Sequence, residues 1–148
     1  MRISTKGRYG LRIFTELARR YGQGPVMVDV LERTQEVSGK YIHQIMLALK
    51  GSGLVRTVRG PRGGYELAHD PAAITAWDVV SALEGDLEVV ECVLHPGVCT
   101  RSCSCPTREV WQTMRDAIRT ALSGFTLKEL AQRLEMQQEK ETELNYFI

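Results

Sequence analysis

Apolar residues recur at helical spacing through most of the chain, and the interruptions divide it into elements. Leu11, Phe14, Leu17, Ala18 and Tyr21 line one face of a first predicted helix, which GQGP at 22–25 ends. A short second helix is predicted over 28–33, continuing as far as Thr34. Ser38 then caps a third helix with Ile42, Ile45, Met46 and Leu49 on one side, and Gly51 and Gly53 stop it. The pattern next becomes strand-like in LVRTVR (54–59) and YELA (65–68), with the turn GPRGG between them. Three helices followed by a hairpin with a basic tip is the element order of a winged helix-turn-helix.

Asp70 followed by Pro71 punctuates the chain. Thr75 caps a fourth helix, with Asp78 completing an acidic capping box, and that helix carries Ile74, Trp77, Val80 and Leu83 as far as Gly85. ECVLHPGVCTRSCSCPTREVW (91–111) is rich in Gly, Pro, Ser and Thr and reads as a loop. From Thr107 a longer helix carries Val110, Trp111, Met114, Ala117, Ile118, Ala121 and Leu122, in steps of 1, 3, 3, 1, 3 and 1, until Gly124 closes it. This stripe packs either on its own domain or on the same helix of a second subunit. TLKE (126–129) is another capping box and opens a last helix bearing Leu127, Leu130, Ala131 and Leu134, with a charged tail ending in LNYFI. The expected fold is mainly α with a small β-hairpin wing: a winged helix-turn-helix plus a long dimerisation helix. Its units are a DNA-binding domain at 1–70, a linking helix and cysteine-rich loop at 71–106, and a dimerisation helix and C-terminal helix at 107–148.

Composition changes this picture in two ways. At 43% hydrophobic and 25% charged the chain is that of a globular protein. No apolar run approaches the roughly 18–20 residues of a membrane span, and the opening does not read as a secretory signal. The expected compartment is the cytoplasm, where clustered cysteines serve more often as metal ligands or redox thiols than as structural disulfides. The net charge of +1 also hides an asymmetry: residues 1–70 hold 12 Lys/Arg against 6 Asp/Glu, and residues 71–148 hold 7 against 12. A basic half joined to an acidic half suits a polyanion-binding unit fused to something else.

Duplex DNA is a dense line of phosphates, and its sequence is read mainly by a helix in the major groove. The third helix offers Ser38, Lys40, Tyr41, His43 and Gln44 near its N-terminus. Gln44 suits adenine, His43 a guanine acceptor, and Lys40 and Lys50 phosphate. Arg56, Arg59 and Arg62 populate the hairpin, where Gly60, Gly63 and Gly64 allow close backbone approach. Ser4, Thr5, Lys6, Arg8 and Tyr9 place phosphate donors at the start of the first helix.

All four cysteines, Cys92, Cys99, Cys103 and Cys105, fall within fourteen positions. Soft thiolates in a loop suit an iron–sulfur cluster. Zinc favours paired spacing, which Cys99 and Cys103 satisfy and Cys92 and Cys105 do not. A thiol switch needs two exposed thiols, and Arg101 and Arg108 stand near enough to lower a thiol pKa. An enzyme of the thiol-oxidoreductase class is disfavoured, because there is no C-x-x-C and no catalytic base nearby except His95.

MRISTKGRYGLRIFTELA, SGKYIHQIMLALKGSGLVRTVRGPRGGYELA and the closing YFI resemble the family of bacterial winged-helix regulators that includes IscR, NsrR and CymR. The resemblance spans essentially the whole chain, and STKGRYG and VRGPRGGY carry it most specifically. It implies a homodimer on an imperfect palindrome, with Lys40, His43 and Gln44 in the major groove and Arg59 in the minor groove. At position 43 the IscR-like pattern has an acidic residue, so operator preference does not transfer. The resemblance also implies cluster ligation by Cys92, Cys99 and Cys105. The fourth ligand does not carry over, because Arg108 and Arg8 stand where family members have a histidine or an aspartate. Cys103 is the candidate replacement and His95 a weaker one. A CymR-like branch without such cysteines implies instead a cluster-free regulator of sulfur metabolism, working through thiol oxidation, zinc or a partner enzyme.

Overall fold

The computed structural model describes residues 2–85, 87 and 89–147; Ile148, the last residue of YFI, lies outside them. Helix α1 (Thr5–Arg19) starts where the Ser4 hydroxyl accepts the Gly7 N–H at 3.1 Å. Its buried face includes Ile13, Phe14, Leu17 and Ala18. Tyr21, which spacing placed on that stripe, lies past the helix end and is 46% exposed. The helical period stops at Arg19 and no longer governs it. Helix α2 (Val28–Gln35) ends at Glu36, which takes a left-handed φ of 54°. Helix α3 (Gly39–Leu49) begins at Ser38, whose hydroxyl accepts the Tyr41 N–H at 3.3 Å. Ile42, Ile45, Met46 and Leu49 are all buried, as their spacing predicts.

Strands β1 (Val55–Val58) and β2 (Gly64–Leu67) pair antiparallel, with Thr57 opposite Tyr65 and Arg56 opposite Glu66. Val26, from the α1–α2 connection, adds a bridge to Tyr65 through N–H···O bonds of 2.8 and 2.9 Å. Gly64 lies so close to the Val26 carbonyl that a Cβ there would collide with it. The hairpin is therefore sewn to the helices through backbone, and its tip alone projects.

Beyond a 3₁₀ turn at Pro71–Ala73, α4 (Ala76–Glu84) carries the predicted capping box. The Asp78 carboxylate accepts the Thr75 N–H at 2.8 Å and the Thr75 hydroxyl at 2.7 Å. Its core face is Ala76, Val79, Val80 and Leu83. Trp77, expected on that face, is half-buried instead, with the Arg119 guanidinium 5.7 Å above its ring. The region expected to be a plain loop holds a helical turn, α5 (Glu91–Leu94), and a 3₁₀ turn at Pro96–Val98. Helix α6 (Pro106–Ser123) follows and packs on α4 and α5. Helix α7 (Leu127–Tyr146) repeats the capping box with Thr126 and Glu129, and its first turns pack on α1. The two capped starts are joined, Ala76 N–H to the Phe125 carbonyl at 2.8 Å and Leu127 N–H to the Ile74 carbonyl at 2.9 Å.

One apolar cluster links α1, α2, α3, the wing, α4 and the start of α7. No residue of α6 is buried. Among the described residues no helix is long and apolar enough to cross a membrane. Thr75→Ala removes the α4 cap, and the expected loss is about 1 kcal/mol. A chemical-denaturation midpoint that drops with unchanged slope checks this; no shift would mean that the Phe125 contact alone holds the helix start.

Candidate nucleic-acid interface and cysteine loop

Burying Ile42, Ile45, Met46 and Leu49 turns the opposite face of α3 outward. Lys40, His43, Gln44 and Leu47 are exposed there at spacings of three, one and three, which is one side of a helix. Leu47, 71% exposed, was not among the sequence candidates, although the same period marks it. Lys50 continues the line at the helix end. A groove of about 550 Å³ separates this face from the wing, walled by Leu47 and Lys50 on one side and Val55, Thr57 and Arg59 on the other. His43 crosses its floor, with Nδ1 2.7 Å from the Tyr65 hydroxyl. Tyr65 also escaped sequence reasoning. Strand alternation marks its ring as inward, but nothing local marks its hydroxyl as a partner for α3.

The other candidates separate into outward and committed groups. Arg59 and Arg62 are exposed at the wing tip, and neither is ion-paired among the described residues. Arg56 instead meets Glu66 across the strands at 3.2 Å. Gly63 and Gly64 have a packing role: a Cβ on Gly63 would strike the Val58 carbonyl and the turn itself, and one on Gly64 would strike Val26. Ser4 is a helix cap that also donates from its hydroxyl to Glu84 of α4 at 2.5 Å, so it ties α1 to α4. Thr5 and Arg8 are exposed on the first turns of α1, and Lys6 is half-buried. Tyr9 stacks edge-on against Tyr41, ring centres 6.1 Å apart, and carries the Arg12 guanidinium 5.1 Å above its face. These two tyrosines brace α1 against α3.

In the loop the structure departs from expectation more sharply. Cys92, Cys99 and Cys105 are half-buried, Cys103 is exposed, and all four are free thiols. Ser102 is buried and donates to the Pro96 carbonyl at 2.6 Å. Arg108 was expected to act on a thiol through its charge. Its guanidinium instead donates to the carbonyls of Cys92 and Val93 at 3.1 and 3.3 Å, which pins α5 to the first turn of α6. Cys105 stands at the start of α6. A hydrogen bond with the Thr107 hydroxyl, 3.1 Å away, and the backbone N–H groups of Arg108 and Thr107 hold its pKa below the ordinary value. His95 sits between the two short turns, its N–H bonded to the Glu91 carbonyl at 3.0 Å.

Three comparisons bear on this arrangement. The family model described as Rrf2, iron-dependent transcriptional regulator, matches residues 3–133. The chain belongs to the Rrf2 family. The HTH-type transcriptional regulator CymR of Bacillus subtilis is 41% identical over 139 residues, covering 94% of this chain and 96% of the relative. The solved structure of that protein, described as the global cysteine regulator, superposes with a TM-score of 0.75 at 40% identity over 90% of this chain and 98% of its own. The T. potens IscR structure gives 0.73 at 32% identity, over 93% and 91%. The winged helix-turn-helix expected from the order of elements is thus the fold. As a member of the Rrf2 family, the protein belongs with transcriptional regulators.

The family's iron dependence calls for a test of the loop as a cluster site. By donor chemistry the loop fits, with four thiols and a lowered pKa at Cys105. By arrangement it does not, because the described residues hold no group of three His, Cys, Asp or Glu side chains able to share a metal ion. Cys92, Cys99, Cys103 and Cys105 are neighbours in sequence without converging on one point.

Proposed function

We infer that this Rrf2 protein is a homodimeric, DNA-binding transcriptional regulator of the cytoplasm, with the cysteine loop as its signal input. One observation carries the DNA reading: the exposed Lys40–His43–Gln44–Leu47 side of α3 lies beside a projecting wing with Arg59 and Arg62 at its tip. A helix of this exposure suits the major groove, and a cationic tip suits the minor groove or backbone. Lys50, Lys6 and Thr5 suit phosphate. The target is an imperfect palindrome, because two copies related by a twofold axis present two such helices. The pairing surface is the α6 stripe of Val110, Trp111, Met114, Ala117, Ile118, Ala121 and Leu122, in which all but the half-buried Ile118 and Leu122 are exposed in a single chain. The divisions at 70 and 106 then become functional ones: reading, sensing and pairing.

For the input we infer an iron–sulfur cluster on Cys92, Cys99 and Cys105 with Cys103 as the fourth donor, reached by a rearrangement of the loop that gathers the thiols. A cluster would supply sensitivity to iron, redox or sulfur status. What the chain's own residues supply is the link: Arg108 ties the Cys92 carbonyl to α6, so a displaced loop moves the pairing helix. A second reading, a cluster-free thiol switch, is favoured by the lowered pKa of Cys105 and the absence of a convergent site among the described residues. Zinc takes the same donors and is a further outcome of the test; nothing favours an enzyme partner.

Anaerobic purification followed by an absorption spectrum, iron and sulfide analysis and binding to a randomised duplex library tests both parts. Brown protein with iron and sulfide supports the cluster. Colourless protein whose DNA affinity changes on reversible oxidation supports the switch. The Cys92→Ala, Cys99→Ala and Cys105→Ala variants are expected to go on binding DNA while losing the response to iron or oxidant. Variants that stay dimeric and respond like the parent would remove the loop from the signalling path.

A further inference from the structure

The hydrogen bond between His43 and Tyr65 joins the reading helix to the wing, and no local pattern predicts it. A neutral imidazole carries its proton on one nitrogen, and whatever bonds Nδ1 decides what Nε2 can offer. His43 is exposed on α3, with Nδ1 2.7 Å from the Tyr65 hydroxyl and the rings inclined at 66°. Tyr65 is an unusually fixed partner. Its side chain is in the core at 7% exposure, its N–H and its carbonyl both bond to Val26, and it stands opposite Thr57 in the hairpin. Burial raises the Tyr65 pKa, so the phenol keeps its proton at neutral pH. Among the described residues, no other acceptor is recorded for that proton. Were the imidazole the donor, the phenolic hydrogen would turn to the open groove that Tyr65 lines; donation to Nδ1 instead keeps it paired within the protein.

We propose that Tyr65 is a positioning residue for DNA sequence reading: its hydroxyl donates to His43 Nδ1, fixes the ring and holds the proton on Nε2, which faces the major groove as a hydrogen-bond donor. Guanine offers two acceptors there, N7 and O6, and no donor, whereas cytosine presents its amino group. Through His43 the wing therefore sets a preference for guanine at one position of each half-site. Lys50 and Arg59 border the same groove and supply charge without base identity. This inference rests on the DNA-binding reading above.

The experiment takes the duplex selected by the full-length protein from a randomised library and compares it with single base-pair replacements. It uses the parent, Tyr65→Phe, His43→Ala and the double variant. Tyr65→Phe keeps the ring in the core, so folding and phosphate contacts stay in place. The parent is expected to prefer guanine over cytosine by about tenfold at the position read by His43. Tyr65→Phe should reduce that ratio by about three- to tenfold, the size of one hydrogen bond. In the His43→Ala background the same change should do nothing to the ratio, which a merely structural role of the hydroxyl would not produce. ¹⁵N spectra of labelled histidine at alkaline pH, with the His43 signals assigned from His43→Ala, should show Nε2 protonated in the parent and a mixture in Tyr65→Phe. A Tyr65→Phe protein with unchanged discrimination, an equal effect in both backgrounds, or a proton on Nδ1 in the parent overturns the assignment. Failure of the parent to select any duplex overturns the DNA reading itself, and is distinguishable because the ¹⁵N measurement needs no DNA.

Discussion

Met114→Glu in α6 is expected to leave a folded monomer that has lost about a hundredfold or more in affinity for the proposed palindrome, the avidity of two linked half-sites. Met114 is 40% exposed in the single chain, with Trp111 at 37% and Val110 at 58% on the same stripe, so the fold of one chain does not depend on the thioether. In a twofold pairing of α6 helices the introduced carboxylate meets its own copy or the partner's apolar stripe, and neither arrangement tolerates a buried, unpaired charge. Association should fail, while the apolar cluster of α1, α3 and α4 stays intact. Sedimentation should show one species at the monomer mass with an unchanged circular dichroism spectrum. The salt dependence of the remaining DNA binding should fall to about half its slope, because one set of phosphate contacts replaces two. A variant that sediments as a dimer would mean that α6 is not the pairing surface.

Glu16→Gln is expected to cost about 2 kcal/mol near neutral pH, and much less in acid. The Glu16 carboxylate is 1% exposed in α1 and receives Arg19 Nη2 and Arg20 Nε, each at 2.6 Å. Burial by itself would raise its pKa, but the hydrogen bonds and charges of the two arginines overcome this and hold it below the ordinary value. A lowered pKa in the folded state means that folding favours the ionised form. The stabilisation is complete above the unfolded value near 4.5 and is lost as pH falls through the lower folded value. Arg19 and Arg20 have side chains 22% and 32% exposed, so water screens part of the interaction, and the expected cost stays below that of a fully buried pair. Denaturation midpoints of parent and variant at several pH values check both parts. They should lie farthest apart above pH 5 and converge well below it; a constant gap would mean that packing, not charge, accounts for the loss.

Much of the proposed reading surface was legible in the chain because it depends on one helix at a time. The spacing of Ile42, Ile45, Met46 and Leu49 decides which side of α3 is buried, and Lys40, His43, Gln44 and Leu47 face outward as the remainder. Both capping boxes were readable for the same reason, since each partner lies three residues from its cap. Tyr21 failed as a core residue because a period applies only while the helix lasts. Trp77 gave way to Val79 on α4, where the packing of α1 and α6 around the helix chose the buried side.

Thus the sequence by itself determined the order of the main helices and the hairpin, the caps at Ser38, Thr75 and Thr126, the polar side of α3, the basic wing and the concentration of thiols before α6, because short-range backbone geometry and apolar period specify each of these. Tertiary structure alone decided which groups meet across elements. Ser4 finds Glu84 eighty residues away, His43 finds Tyr65 at a separation of 22, and Arg108 takes the Cys92 carbonyl at 16. Such pairings follow from where packed helices and the hairpin come to rest. Polar side chains of one sequence pattern can end as DNA readers, as struts or as caps, depending on which acceptor the fold carries to them.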